Sequence, residues 1–210
     1  MPEEWQESLT LSAQTLFIPK EQERWDDQLR ELAAFLSRER QCGEWLRLHE
    51  RKVRRMKEQV NAAVGEDRCM VLRLSGDTLY AYCNRGIRDV LYEQLGLTPA
   101  YSPDETSGTL YNEPVTFEEL ARLNPQRLLL LICPDSPTRV SWLSLQHSAG
   151  WRDLQAVRSS QVYLLPSDPW FEYSAVAVDR MLDEMLLMFT GICPNPHEDG
   201  VHGYPAAYPL

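Results

Sequence analysis

The feature that most constrains this chain is the run of residues 43–64, which contains no proline and no glycine after its first residue. Apolar residues recur along it at steps of three, four or seven, the spacing that places them on one face of a helix. They are Leu46, Val53, Met56, Val60 and Val64. Gly65 stands where a left-handed helix end favours glycine. The run therefore predicts one helix over residues 43–65, roughly 30 Å long, that joins the residues before it to a compact lobe after it.

Two shorter segments precede this helix. Residues 14–18 form an apolar run closed by Pro19, which predicts a short strand. A single strand is not stable alone, so this one must pair with a sheet elsewhere. Residues 23–40 repeat apolar side chains at helical spacing and predict an amphipathic helix, which Gly43 separates from the long helix.

Strand-like and helix-like runs alternate in the rest of the chain. The predicted strands are residues 69–74, 78–83, 127–133 and 161–165. The predicted helices are residues 87–95, 116–123, 141–146 and 174–189. Residues 75–77 join the first two strands as a hairpin, and Thr116 with Glu119 forms a capping box, whereas residues 98–113 predict a surface loop. This order predicts an α/β lobe with a doubly wound, mainly parallel sheet.

Charge limits the classes of partner. The 210 residues include 21 basic and 31 acidic side chains, for a net charge of −10, which argues against direct binding of a nucleic-acid backbone. The basic run over residues 47–57 is interleaved with glutamates and is typical of a solvated helix face. The start of the sequence is acidic and lacks a signal peptide or a membrane span, so we expect no membrane insertion. The chain as written is expected to be cytoplasmic, and extracytoplasmic if its true start lies upstream.

Motifs for catalysis and for resident metals are missing from the sequence. There is no G-x-S-x-G, no glycine-rich phosphate loop and no H-E-x-x-H, so we predict that the chain is not an enzyme. The acids Asp179, Asp183 and Glu184 have a spacing that suits a solvated helix face. Five cysteines without a C-x-x-C pair indicate neither a disulfide framework nor a zinc site.

A series of short motifs resembles a known family. It comprises Leu120-x-x-x-Asn124-Pro125, the apolar strand, Trp151-x-x-Leu154-x-Ala156-Val157, Val162-Tyr163, and Trp170 before a long last helix. In this order the motifs resemble the distal lobe of the substrate-binding proteins that capture ferric siderophores, haem or cobalamin for ABC importers. More narrowly, Asn84-Arg85-Gly86 leading into Val90-Leu91-Tyr92 resembles the siderophore-sensing domains attached to AraC-type regulators. The sequence departs from the family at Gln126, where members commonly have aspartate, and most of the family's first lobe and any helix-turn-helix region are absent.

The resemblance implies a class III periplasmic-binding-protein-like fold and a domain organisation. Residues 1–42 would be a remnant of the first lobe and residues 43–65 the interlobe helix. Residues 66–191 would form the substrate-binding lobe, and residues 192–210 an extended tail. The implied ligand is an iron-siderophore or related metal chelate, so iron would enter only inside that complex and no other cofactor is expected.

The chemistry of the implied ligand indicates candidate ligand-binding residues within this lobe. Bulky anionic iron complexes call for arginines and aromatic rings at the carboxyl ends of the strands. The candidates are Arg73, Arg85, Trp170, Phe171, Tyr80, Tyr82 and Arg88, and the alternative for each is a surface arginine or a packed aromatic ring. No residue is predicted to ligate a metal directly.

Two partners and two functions stay open at the level of sequence. The resemblance implies an ABC permease or a regulator domain as the protein partner. Glu118 matches the glutamate with which family receptors dock onto a permease, although an acid at a helix amino terminus has a sufficient explanation in the helix dipole. The first function is siderophore binding for iron uptake or sensing. The alternative is a structural or interaction fragment that does not bind the ligand without another chain.

Overall fold

The computed structural model describes residues 15–17, 24–82, 85–101 and 112–193. The chain divides into two compact units, Met1–Leu48 and His49–Leu210. Within the described ranges, no helix combines the length and the apolar composition that crossing a membrane requires.

Most of the described part of the first unit is helical. It contains α1 (Trp25–Phe35) and the beginning of α2 (Glu39–Val64), and the rings of Trp25 and Trp45 pack edge to face with centroids 6.0 Å apart. The strand predicted over residues 14–18 is not formed by residues 15–17, since β structure requires a paired neighbour; residues 14 and 18 lie outside the described residues.

The long helix α2 has 26 residues and begins four residues earlier than predicted. The prediction that Gly43 separates two helices is wrong. A single glycine inside a helix costs only about 1 kcal/mol, and Gly43 lies within α2. The chain breaks instead at Ser37, whose φ of 55° is left-handed and whose N–H donates to the carbonyl of Ala34.

The second unit is built around a mixed sheet of six strands. The strands are β1 (Arg68–Ser75), β2 (Thr78–Tyr82), β3 (Thr98–Pro99), β4 (Asn112–Pro114), β5 (Arg127–Ile132) and β6 (Val162–Pro166). Their order is β4-β2-β1-β5-β6, and β3 pairs with the start of β1. The predicted hairpin of β1 and β2 is confirmed as an antiparallel pair, and the buried run in β5 lies between parallel neighbours β1 and β6. The loop predicted over residues 98–113 contains β3 and the first two residues of β4, and residues 102–111 lie outside the described residues.

Helices cover both faces of this sheet, which confirms the doubly wound α/β class. One face is packed by the short helices α4 (Phe117–Leu123), α5 (Ser136–His147), α6 (Ala149–Asp153) and α7 (Gln155–Arg158). Alternate strand residues such as Leu72 and Leu130 join Trp151 in its core. On the other face Tyr163 of β6 packs against Phe189 of α8 (Ala175–Thr190), with ring centroids 5.3 Å apart.

Two predicted helix ends are confirmed and one helix has an unexpected form. Thr116 and Glu119 form the capping box of α4, and Ser174 caps the start of α8. The helix predicted over residues 87–95 consists of a short α3 (Arg85–Arg88) followed by a π-helix, Asp89–Gln94. π-Helical turns are rare and frequently lie at functional sites.

Candidate ligand-binding site

Arg73 lies near the carboxyl end of β1, at the edge where ligands bind in doubly wound sheets. It is paired across the strands with Tyr80 of β2 and Leu131 of β5, so these three side chains share one face. Arg73 is half-buried, and its Nε donates to Sγ of Cys133, 3.4 Å away, directly after β5.

Phe171 reaches the same place from the end of β6. A short 3₁₀-helix, Asp168–Phe171, follows β6, and Phe171 is 36% exposed. The guanidinium of Arg73 lies over its ring, 5.0 Å from the centroid, within the range of a cation–π interaction. Phe171 also contacts the ring of Tyr82, with centroids 5.3 Å apart and the planes tilted by 59°.

Three predicted residues are thus brought into one group, which we call the Arg73 cluster: Arg73, Tyr82 and Phe171, together with Cys133. Tyr80 is half-buried and lies opposite Arg73 in the strand register. Cys133 was missed by the sequence reasoning. Its position in the sequence could have indicated it, because Cys133 directly follows the most apolar strand and side chains at the carboxyl ends of parallel strands lie close together.

Trp170 is a packed aromatic residue, which was the alternative to its predicted role as a ligand contact. Its side chain is 1% exposed and cannot present its ring to a ligand in this arrangement. Burial raises the pKa of the nearby Glu184, an effect that Arg180 and a hydrogen bond with Trp170 oppose. Of two adjacent aromatic residues, only Phe171 faces the Arg73 cluster.

The other predicted residues lie apart from these contacts or outside the description. Arg88 is exposed and pairs with Glu93 at 3.6 Å. The Arg85 backbone begins α3, and its side chain is outside the described residues. Glu118 is exposed in the first turn of α4 beside the capping box, so its role in docking stays a prediction.

A groove of about 640 Å³ lies on the opposite face of the sheet. It is lined by residues of the β1–β2 hairpin, of the start of α4 and of α5, including Leu79, Phe117 and Ser141. Because Arg73 and Tyr80 point to the other face, this groove does not include the Arg73 cluster.

One prediction about acidic residues is wrong. Asp179 is not on a solvated face: it is 6% exposed and bonds to His49 and Lys52 of α2. The signal in the sequence was the position of His49 and Lys52 in the apolar stripe between Leu46 and Met56, where polar side chains need a buried partner.

The Arg73 cluster combines the groups that an anionic, aromatic-flanked ligand requires. A guanidinium supplies permanent positive charge, and the exposed part of the Phe171 ring supplies flat apolar surface, which the buried ring of Tyr82 supports from behind. The members of the group lie in or follow four strands, β1, β2, β5 and β6, rather than one flexible loop, which fixes their geometry.

Comparisons with known proteins identify the family to which this fold belongs. The periplasmic binding protein family model matches residues 2–169. The HTH-type transcriptional activator Btr of Bacillus subtilis is 30% identical over 193 residues, which cover 92% of this chain and 35% of Btr. The iron-uptake system-binding protein of the same organism is 21% identical over 80% of this chain and 53% of that protein.

A solved structure gives the same fold. The triscatecholate siderophore binding protein FeuA of Bacillus subtilis, complexed with ferri-bacillibactin, superposes with a TM-score of 0.67 at 19% identity. The match covers 90% of this chain and 68% of FeuA. The chain spans about a third of Btr and about half of the iron-uptake protein. Because the family model covers well over half of its residues, the chain belongs to the periplasmic binding protein family.

Proposed function

We propose that this chain binds a ferric siderophore or a related anionic metal chelate, as a module for iron uptake or iron-responsive sensing. The observation that carries the proposal is the guanidinium of Arg73 stacked on Phe171 at the carboxyl edge of the sheet. Supporting it, one relative is named for iron uptake and the FeuA structure holds a triscatecholate iron complex.

The proposal has a clear chemical rationale. A ferric triscatecholate carries several negative charges and presents flat rings at its surface. The guanidinium of Arg73 would meet the charge and the exposed part of the Phe171 ring would meet the ligand's rings, while Tyr82, which is 6% exposed, packs against Phe171. None of these groups competes for the iron, so the chelate would stay intact.

The test is calorimetric titration of the 210-residue chain with a ferric triscatecholate and, separately, with a ferric trihydroxamate. We expect the catecholate complex to bind, and Arg73→Ala to weaken that binding by roughly tenfold, or about 1.4 kcal/mol. Added salt should weaken it further. The exposed Arg158 of α7 provides a matched control, Arg158→Ala, which should bind like the unchanged protein.

The same titration separates the proposal from its alternative, a structural or interaction fragment. Absence of binding by the folded chain at micromolar ligand, with either chelate, would favour that alternative. Equal binding by Arg73→Ala and Arg158→Ala would move the site away from the Arg73 cluster.

The choice between a regulator and a transporter receptor rests on the protein partner. The match to Btr supports a regulator domain, because it is the relative with the larger share of this chain aligned. A receptor role would require the exposed Glu118 for uptake, so uptake that depends on Glu118, in a fusion carrying an export signal and a complete first lobe, would overturn the regulator assignment.

A further inference from the structure

Residues 170–174, which we call the strap, connect the end of β6 to α8, and Phe171 of the strap belongs to the Arg73 cluster. Trp170 is 1% exposed and fixes the start of the strap in the core. Ser174 fixes its end, because the Ser174 side chain accepts a hydrogen bond from the N–H of Ala177 and caps α8. Phe171 itself is 36% exposed, so burial alone does not hold its ring. The contacts of the strap between its two ends therefore bear on where this ring lies.

The π-helix holds the strap through a hydrogen bond. The hydroxyl of Tyr173 donates to Oδ2 of Asp89, the first residue of the π-helix, at 3.0 Å. Asp89 is 6% exposed, so the packed helix places the acceptor. Glu172, which separates Tyr173 from Phe171, is extended, with φ −71° and ψ 143°. The bond to Asp89 thus holds the chain only two residues from Phe171.

The short helix α3 gives the strap a second contact at Gly86. A Cβ at this position would stand 3.2 Å from the carbonyl oxygen of Glu172 and 3.6 Å from Cδ2 of Tyr173. The first distance is shorter than an ordinary contact, so a side chain at residue 86 would push the strap away from α3. The other near atom, Cε of Met181 at 3.4 Å, is the end of a flexible side chain and can move aside. The strap and α3 approach each other this closely because residue 86 has no side chain.

The contact between Arg73 and Phe171 is sensitive to the position of the strap. The guanidinium lies 5.0 Å from the centroid of the ring, and the attraction between a cation and a ring is significant within about 6 Å. A displacement of Phe171 by roughly 1 Å away from Arg73 would therefore bring the pair to the limit of this range. Tyr82 contacts the Phe171 ring, but a contact between two rings does not fix the backbone of the strap.

We propose that Tyr173, Asp89 and Gly86 are positioning residues of the candidate site: they hold the strap so that the ring of Phe171 stays against the guanidinium of Arg73. These three residues lie outside the Arg73 cluster, and their effect on a ligand runs through Phe171. What the proposal says about affinity rests on the proposed function, whereas the placement of Phe171 can be measured without any ligand.

The ligand-free test is NMR of the 210-residue chain labelled with ¹³C and ¹⁵N at arginine. An aromatic ring shifts the signals of protons that lie over its face, and Phe171→Leu identifies the Arg73 signals that depend on this ring. We expect Tyr173→Phe to reduce the ring-dependent shift. Tyr92→Phe is the matched control, because the Tyr92 hydroxyl of the same π-helix donates to the Cys69 carbonyl and not to the strap. An undiminished shift in Tyr173→Phe would overturn the proposal.

Two further variants test the partners of the strap. Asp89→Ala removes the acceptor, so Tyr173→Phe should cause no further loss of the Arg73 shift in that background, and additive losses would overturn the proposal. Gly86→Ala retains every polar group and keeps the test sharp if Asp89→Ala does not fold. It should also reduce the shift, whereas Gly43→Ala, at a position with no atom within 4 Å of the added Cβ, should not. Equal shifts in the two alanine variants would count against the role of Gly86 and overturn the proposal.

Affinity for a ferric triscatecholate separates this proposal from the proposed function. Tyr173→Phe should weaken calorimetric binding by roughly threefold to tenfold, as expected for the loss of one hydrogen bond, and Tyr92→Phe should bind like the unchanged protein. If the unchanged protein does not bind the chelate, the proposed function fails and the ligand-free shift of Arg73 decides the positioning proposal. If the unchanged protein binds and Tyr173→Phe binds equally well, the positioning proposal is overturned while the proposed function stands.

Discussion

At the scale of single residues, Arg73 makes contacts of two different kinds that bear on its position. The Sγ of Cys133 fixes the direction of Nε, and the ring of Phe171 fixes the plane of the guanidinium. An arginine held in this way loses little side-chain entropy when a ligand arrives, and preorganisation of this kind improves affinity. Cys133 is therefore a positioning residue in the proposed site.

We expect Cys133→Ala to weaken binding of a ferric triscatecholate by roughly threefold to tenfold, since one hydrogen bond contributes about 0.5–1.5 kcal/mol. Cys133→Ser retains an acceptor beside Arg73 and should bind more tightly than the alanine variant. Calorimetric titration of the two variants provides the measurement. If serine and alanine weaken binding equally, Cys133 does not act through Arg73.

Neutralising the carboxylate of Asp179 should be costly, because this side chain is buried and bonds to both His49 and Lys52. Asp179→Asn leaves Lys52 and His49 facing an uncharged amide in a buried place, and removal of one buried partner typically costs about 3–5 kcal/mol. Urea unfolding followed by tryptophan fluorescence measures the change. Asp153→Asn, at an exposed position of α6, is the control and should change the free energy of unfolding by less than about 0.5 kcal/mol.

The same residue predicts a pH dependence in acid. Burial acts to raise the pKa of Asp179, but the hydrogen bond from His49 and the charge of Lys52 hold the pKa below the ordinary range. The unfolded state therefore binds more protons, so this stabilisation is complete above the ordinary aspartate pKa and is lost as the pH falls through the folded pKa. Between about pH 6 and about pH 3, the free energy of unfolding should fall more steeply for the unchanged protein than for Asp179→Asn. Parallel curves would contradict this assignment.

At the scale of helices, two glycines illustrate how packing decides the effect of one substitution. Gly43 lies within α2 and has no neighbouring atom within 4 Å of the place where a Cβ would stand. Gly150 lies in α6, where a Cβ would stand only 2.5 Å from Cε1 of Phe117. Helix propensity favours alanine at both places, but only Gly150 is in tight contact.

Gly43→Ala should therefore raise the stability of α2 by about 0.5–1 kcal/mol. Gly150→Ala should lower stability by about 1–3 kcal/mol, because the Phe117 ring has to move within a packed core. Thermal unfolding of both variants measures the difference, with each serving as the other's control. Stabilisation by Gly150→Ala would show that Phe117 shifts at little cost.

At the scale of the whole molecule, the sequence predicts those secondary-structure elements that a local residue pattern specifies. The apolar run at residues 127–133 and the Ser75-Gly76-Asp77 turn specify β5 and the β1–β2 hairpin, because burial on both faces and tight turns each leave a direct mark. Arg73 was identifiable since it is a charged residue at the carboxyl end of a strand. The buried contact between His49 and Asp179 was not identifiable, because the two residues are 130 apart in sequence and their contact depends on tertiary packing.

The two adjacent aromatic residues after β6 show the same limit at one position. Trp170 and Phe171 are both aromatic and adjacent in sequence, yet Trp170 is buried and Phe171 stacks on Arg73. Periodicity within a four-residue 3₁₀-helix is too short to indicate which ring points inward. The fold class could thus be predicted from the sequence, whereas the composition of the candidate site required the packed structure.

The two compact units should also differ in how strongly their backbones resist opening. In α1 the described buried residues are Trp25 and Ala33, and Leu32 remains 41% exposed, whereas five of the six residues of β5 are buried between two paired strands. Opening free energies follow buried apolar contacts and shared hydrogen bonds, so α1 should exchange its amide hydrogens at least about a hundredfold faster than β5, relative to intrinsic rates.

Hydrogen exchange read by mass spectrometry on the 210-residue chain measures both segments at once. The amides of α8, a helix with eight buried residues, provide the comparison for helical structure and should be protected like β5. Protection of α1 equal to that of α8 would mean that the first unit opens only together with the second, and that a single cooperative transition governs the chain.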